Sequence, residues 1–146
     1  MTATLLSFRP PPHVLEAVAT EMCDRWPDLF VFPPQPIAVG LGPVMIAALA
    51  TTPPKGWPTM TYQQLTMAVA HMLEAWTGHQ LYLLRTKAGV ARVGLNGEPL
   101  GRVLKDEETW ALEQFRRKWD RELPWLPTED QLRDWIAKGW QGALSG

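Results

Sequence analysis

Residues 87–102 read KAGVARVGLNGEPLGR and predict a β-hairpin. The Asn96-Gly97 pair lies between two short segments in which apolar residues alternate. Both residue types tolerate the positive φ angles of a type I′ turn, so the pair favours a two-residue turn. Such a turn would place Val93 directly opposite Leu100. Residues 85–102 carry four basic residues and a single acid, Glu98; the basic residues are Arg85, Lys87, Arg92 and Arg102.

Length, charge and cysteine content restrict the class of protein. A chain of 146 residues is expected to form one domain with a sizeable core. Its 14 Lys and Arg residues against 15 Asp and Glu argue against an overall polyanion-binding surface but permit a local basic patch. The only cysteine, Cys23, allows neither an internal disulfide nor a cysteine-based zinc site. Without an apolar run long enough for membrane insertion, or a secretory signal, we expect a cytoplasmic protein.

Apolar residues at helical spacing predict a mainly α fold that carries the one hairpin. Helices are predicted over residues 13–26 and 41–50, and a short helix or turn over residues 81–84. Thr61 is expected to cap the best-defined helix, with Gln64 as its capping-box partner. The predicted buried stripe of that helix is Leu65, Val69, Met72 and Trp76.

Two further helices are predicted after the hairpin. Asp106 is expected to cap the first of them. Its predicted apolar face is Leu112, Phe115 and Trp119. Thr128, with Gln131 as its box partner, is expected to begin the last helix.

No pattern of side chains indicates an enzyme, a cofactor or a metal site. His13, His71 and His79 have no acidic or cysteine partner at a ligand spacing, so metal binding is not expected. The acidic pairs at 107–108 and 129–130 fall in first helical turns, where they complement the helix dipole. A nucleophile elbow and a phosphate-binding loop are both missing from the sequence.

Tryptophan is unusually frequent towards the end of the chain. Five of the eight tryptophans lie in the last 42 residues; they are Trp110, Trp119, Trp125, Trp135 and Trp140. One interpretation is that these rings cover a small core. The other is that some are exposed and form a docking face for a protein partner, with Trp125, Trp135 and Trp140 as candidates. The sequence leaves both interpretations open.

Several phrases, taken in order, resemble the ProQ/FinO domain of bacterial RNA chaperones. They are WPDLF at 26–30, PIAVGL at 36–41, the capped helix ending in WT at 76–77, LYL at 81–83 and KAGVARVGLNGEPLG at 87–101. The hairpin phrase is the most specific. The resemblance covers residues 13–121, for which it implies a compact helical domain with one hairpin. An N-terminal lead over residues 1–12 and an extra Trp-rich helical extension over residues 122–146 lie outside it.

Members of this family bind structured RNA, typically the stem and 3′ tail of terminator-like hairpins. The resemblance therefore implies a non-catalytic RNA-binding protein that acts as a post-transcriptional regulator or RNA chaperone. Tyr82 would pack on a sugar or base, and Arg92 would fork onto phosphate oxygens. Thr61 matches a helix start that helps hold the 3′ end. The candidate RNA-binding residues are Thr61, Tyr82, Arg85, Lys87, Arg92 and Arg102.

The chain departs from the family in its cations, which supports an alternative function. The family usually has Lys where Ala38 stands, and no Lys or Arg occurs from residue 56 to residue 84. Because duplex affinity comes largely from phosphate contacts, RNA binding is expected to be weak. The alternative is a protein-binding member that kept the fold. Since family relatives occur on conjugative plasmids as fertility inhibitors, a protein of the conjugation machinery is one example of such a partner.

Overall fold

The computed structural model describes residues 10–31 and 34–119. Within these residues the chain forms helices and one antiparallel hairpin, in the order α1 (Pro12–Arg25), α2 (Leu41–Thr51), α3 (Tyr62–Thr77), α4 (Gln80–Arg85), β1 (Ala91–Val93), β2 (Pro99–Arg102) and α5 (Lys105–Trp119). The predicted mainly α class with one hairpin is confirmed. The predicted last helix, with Trp125, Trp135 and Trp140, lies outside the described residues.

The core forms where α1 and α2 pack against α3. All four residues of the stripe predicted for α3 are buried. The Phe30 ring meets the Trp76 ring edge-on, with their centroids 5.3 Å apart. The turn after α1 places Phe30 there, because the amides of Leu29 and Phe30 both donate to the Trp26 carbonyl, at 3.1 and 3.2 Å. Trp26, Leu29 and Phe30 of the WPDLF phrase are thus part of the core.

The predicted capping box at the start of α3 is confirmed. The Gln64 amide donates to the Thr61 hydroxyl at 3.0 Å, and the Thr61 amide donates to the Gln64 side chain at 2.9 Å. These two bonds satisfy backbone groups that the first helical turn leaves without intrahelical partners. Thr61 therefore has a structural role that accounts for its position.

The hairpin is present, but its predicted two-residue turn is wrong. The Gly94 amide donates to the Glu98 carbonyl, and the Gly97 amide donates back to the Gly94 carbonyl, so the loop holds three residues. Gly97 takes a φ of 80°, as the last position of such a loop requires. The longer loop shifts the register, so that Pro99 rather than Leu100 pairs with Val93. Leu100 is 48% exposed as a result.

The segment before α2 pairs with the hairpin. The Ala38 amide donates to the Val93 carbonyl at 2.8 Å, and the Val93 amide donates to the Pro36 carbonyl at 2.9 Å. β1 is therefore bonded to β2 on one side and to residues 36–38, in parallel, on the other. This pairing brings the start of α2 beside the hairpin, although more than 50 residues separate Pro36 from Val93.

The start and the buried face of α5 differ from the prediction. α5 begins at Lys105, and the Leu104 amide donates to the Glu107 carboxylate at 2.8 Å, so Asp106 lies inside the first turn and is not the cap. Leu112 is 38% exposed, whereas Ala111 is fully buried. A small residue at this position lets α5 approach α4 closely, which turns Leu112 towards the surface. Phe115 is half-buried, as part of the predicted face.

His79 begins α4 and generates a prediction about pH. Its imidazole Nδ1 accepts a hydrogen bond from the Leu81 amide at 3.2 Å, and burial lowers the pKa of His79 from 6.5 to about 4. Between these two values the unfolded chain binds more protons at this site than the folded chain. The contribution of His79 to stability is therefore present above the unfolded pKa and is lost as the pH falls towards the folded pKa.

His79→Asn keeps a cap acceptor but removes the titration. We expect the wild type to lose more unfolding free energy than His79→Asn when the pH is lowered from about 7 to about 5. Urea denaturation of both proteins at the two pH values measures the difference. Equal losses in the two proteins would show that the His79 imidazole does not contribute to the pH dependence.

Candidate functional site

A groove of about 500 Å³ lies at the start of α2. It is lined by the segment 37–42 and by the last turns of α3. Tyr82 and Leu83 of α4 also line it, as does Thr86, the residue that follows α4. Arg92 reaches it from β1, while α5 contributes Asp106, Glu107 and Trp110. Five separate segments of the chain therefore meet at this groove.

Tyr82 and Arg92 hold the two backbone groups of Ile37. The Ile37 amide donates to the Tyr82 hydroxyl at 3.0 Å, and Arg92 Nη1 donates to the Ile37 carbonyl at 2.8 Å. Burial raises the pKa of Tyr82, against the opposing effects of the Ile37 amide and the Arg92 charge. Tyr82 is only 6% exposed. It lines the groove and also belongs to the hydrophobic core.

Glu107 neutralises Arg92. Its carboxylate lies 3.1 Å from Arg92 Nη2 and also accepts the Leu104 amide. The Leu104 amide and the Arg92 guanidinium together lower the pKa of Glu107, so the carboxylate is ionised at neutral pH. An anion that reaches Arg92 must therefore share the guanidinium with Glu107 or displace it.

The six candidate RNA-binding residues do not form one cluster. Tyr82 and Arg92 both line the groove. Thr61 stands at the far end of α3 from the groove, a helix of 16 residues that spans about 24 Å. Arg85 donates to the Pro34 carbonyl at 2.7 Å, and Arg102 donates to the Gly89 carbonyl at 2.9 Å.

The basic character of the hairpin is largely cancelled by the first turn of α5. Lys87 is exposed, but Glu108 lies beside it and accepts bonds from Lys105 and from the Ala88 amide. Residues 82–108 carry five basic and four acidic side chains. Sequence reasoning attributed the α5 acids to the helix dipole alone. The acidic residues directly follow the hairpin in the sequence, and this position was the signal that they could pack against it.

Two features of the groove were missed from the sequence. The first is the start of α2, where Gly40 has a φ of 84° and no side chain caps the helix. Residues 40–42, at this helix start, line the groove. The free backbone N–H groups of a first helical turn attract anions. The signal was the glycine-rich run from residue 40 to residue 42. The second is Trp110, which is 58% exposed on the groove and was considered only as one of the C-terminal tryptophans.

In residues 10–31 and 34–119, no three His, Cys, Asp or Glu side chains lie close enough together to hold a metal ion. None of the helices placed by the structure has the length and apolar character needed to cross a bilayer.

This fold defines a class of small helical domains in which a hairpin and the start of a helix border a groove. The sequence profile of the ProQ/FINO family matches residues 13–123, and the chain belongs to this family. The fold is also similar to the NMR solution structure of a ProQ homolog from Legionella pneumophila. The TM-score is 0.58 at 15% identity, over 84% of this chain and 97% of that one. No match was found among curated proteins.

Tyr82→Phe tests whether the Tyr82 hydroxyl organises the groove. The substitution keeps the ring but leaves the buried Ile37 amide without its acceptor, which should cost about 1–3 kcal/mol of unfolding free energy. Urea denaturation measures the loss. Tyr62→Phe, at a position 66% exposed, is the matched control and should change stability by less than about 0.5 kcal/mol. Equal effects of the two substitutions would contradict a structural role for the Tyr82 hydroxyl.

Proposed function

We propose that this protein binds the 3′ end of structured RNA, without catalysis, as a post-transcriptional regulator or RNA chaperone. Its membership of the ProQ/FINO family supports RNA as the ligand. The observation that carries the proposal is that one groove joins the Arg92 guanidinium to the uncapped start of α2. Both are groups that bind phosphate oxygens.

The distribution of charge favours the 3′ tail over the stem as the bound part of the RNA. A duplex stem presents closely spaced phosphates, and a protein that holds it needs several cations along one face. α3 offers none, since residues 56–84 contain no Lys or Arg. Around the groove, by contrast, one guanidinium and one helix start suit one or two phosphates. The proposed complex is therefore held at the end of the RNA.

The experiment uses a terminator-like hairpin RNA with a 3′ tail and the same hairpin without the tail. At low salt we expect micromolar binding of the tailed RNA and weaker binding of the blunt one. Because one or two phosphates are contacted, a plot of log K against log salt should have a slope between about −0.7 and −1.4. Filter binding measures the affinity of each RNA and the salt dependence of that affinity. Equal binding of the two RNAs, or none at low salt, would contradict the proposal.

Glu107→Gln should increase RNA affinity. The Gln side chain retains an oxygen that accepts the Leu104 amide, while the charge that competes for Arg92 is removed. A unit charge about 4 Å from a phosphate is worth about 1 kcal/mol in water, which corresponds to about a fivefold change in the dissociation constant. Filter binding of the tailed hairpin compares the variant with the wild type.

Glu113→Gln is the matched control for this charge change. Glu113 is an exposed residue of α5 outside the groove lining, so its neutralisation should alter RNA affinity much less than that of Glu107. Similar gains in both variants would attribute the effect to net charge. Weaker binding by Glu107→Gln would mean that the Arg92–Glu107 pair assists binding.

A protein-binding role is the second candidate function. Two observations favour it: α3 has no cation, and the acidic turn of α5 faces the basic hairpin. In this alternative the partner is a protein of the conjugation machinery, and Trp125, Trp135 and Trp140 are the contact residues. Lack of RNA binding at low salt, together with a partner whose capture is lost in Trp135→Ala, would favour this function over the first.

A further inference from the structure

We infer that Trp110 stacks on the 3′-terminal base of the bound RNA; this inference rests on the proposed function. Tyr82 was the expected stacking residue, but its ring is 6% exposed and its hydroxyl is occupied by the Ile37 amide. A buried ring has no face to offer a base. Trp110 lines the same groove, with 58% of its surface exposed.

Trp110 lies one helical turn from Glu107, the residue that pairs with the Arg92 guanidinium. Glu107 and Trp110 are three residues apart on α5 and therefore share one side of the helix. Glu107 contacts Arg92, so Trp110 lies one helical turn from the direct partner of the proposed phosphate site. A base is joined to its phosphate through a single sugar. This spacing allows one nucleotide to reach both groups.

The groove is lined by both polar and apolar groups. Arg92 and the backbone N–H groups at the α2 start are polar, whereas the side chains of Val39, Leu41 and Leu73 are apolar. Val39 is 79% exposed, which leaves apolar surface available on the groove. A nucleotide likewise combines a polar group, its anionic phosphate, with a flat base. Any of the four bases can stack on an aromatic ring.

The other exposed aromatic ring among the described residues does not fit this role. Tyr62 is 66% exposed, but it is the first residue of α3, whereas the groove lies at the last turns of that helix. Trp110 is thus the ring that combines exposure with a position on the groove.

A thermodynamic cycle tests the inference. It combines Trp110→Ala with a tailed hairpin RNA whose 3′-terminal nucleotide is abasic. Stacking on an aromatic ring changes affinity by roughly 5- to 100-fold per base. We expect Trp110→Ala to lose that factor against the intact RNA, and the wild type to lose a similar factor against the abasic RNA. The variant should then lose little more with the abasic RNA, because both changes remove the same contact.

Two further variants separate stacking from other effects. Trp110→Phe keeps an aromatic face and should retain most of the affinity. Leu112→Ala removes an exposed apolar side chain from α5 outside the groove lining, and should bind as the wild type does. Circular dichroism and urea denaturation of each variant establish that the fold is intact.

The outcomes distinguish the inference from the proposed function. If the wild type binds the tailed hairpin and Trp110→Ala binds equally well, the inference is overturned and the proposed function stands. The inference also fails if the losses of RNA affinity caused by Trp110→Ala and by the abasic nucleotide are independent, so that their factors multiply when both changes are combined. It fails as well if Leu112→Ala loses as much RNA affinity as Trp110→Ala. If the wild type binds no RNA at low salt, both fail.

Discussion

The peptide groups of Ile37 are the point on which the site depends. The amide is held by the Tyr82 hydroxyl and the carbonyl by Arg92, which in turn pairs with Glu107. These bonds join the segment before α2, the helix α4, the strand β1 and the first turn of α5. Unpaired backbone groups at a buried position are costly, so each of these bonds restrains the others. The groove is the space that this arrangement leaves open.

This arrangement gives a structural role to two residues that the family resemblance assigned to RNA. Tyr82 and Arg92 do lie together, as a shared site requires, yet each already has a partner within the protein. A side chain that orders a groove has little freedom to reorganise around a ligand. The groups left to contact a ligand are the 13% of the Arg92 side chain that stays exposed, the N–H groups that begin α2 and the Trp110 ring.

What the sequence predicted well depended on neighbours in the chain. The Thr61–Gln64 box and the α3 stripe follow from residues three and four apart, and both are confirmed. The hairpin register was wrong because Asn-Gly suits both a two-residue and a three-residue loop, and a glycine at residue 97 satisfies either. The Arg92–Glu107 pair joins β1 to α5, and a contact of that kind depends on how the elements pack.

The groove also shows why a cation count is a poor guide to ligand binding in this chain. Counted along the sequence, the hairpin region has an excess of positive charge, but the carboxylates of α5 are folded against it. Long-range attraction of a polyanion is therefore weak, and binding must come from contacts at short distance. Helix N–H groups and an aromatic ring act only at such distances, and neither is neutralised by Glu107. A ligand with a single accessible end suits this surface better than a long duplex does.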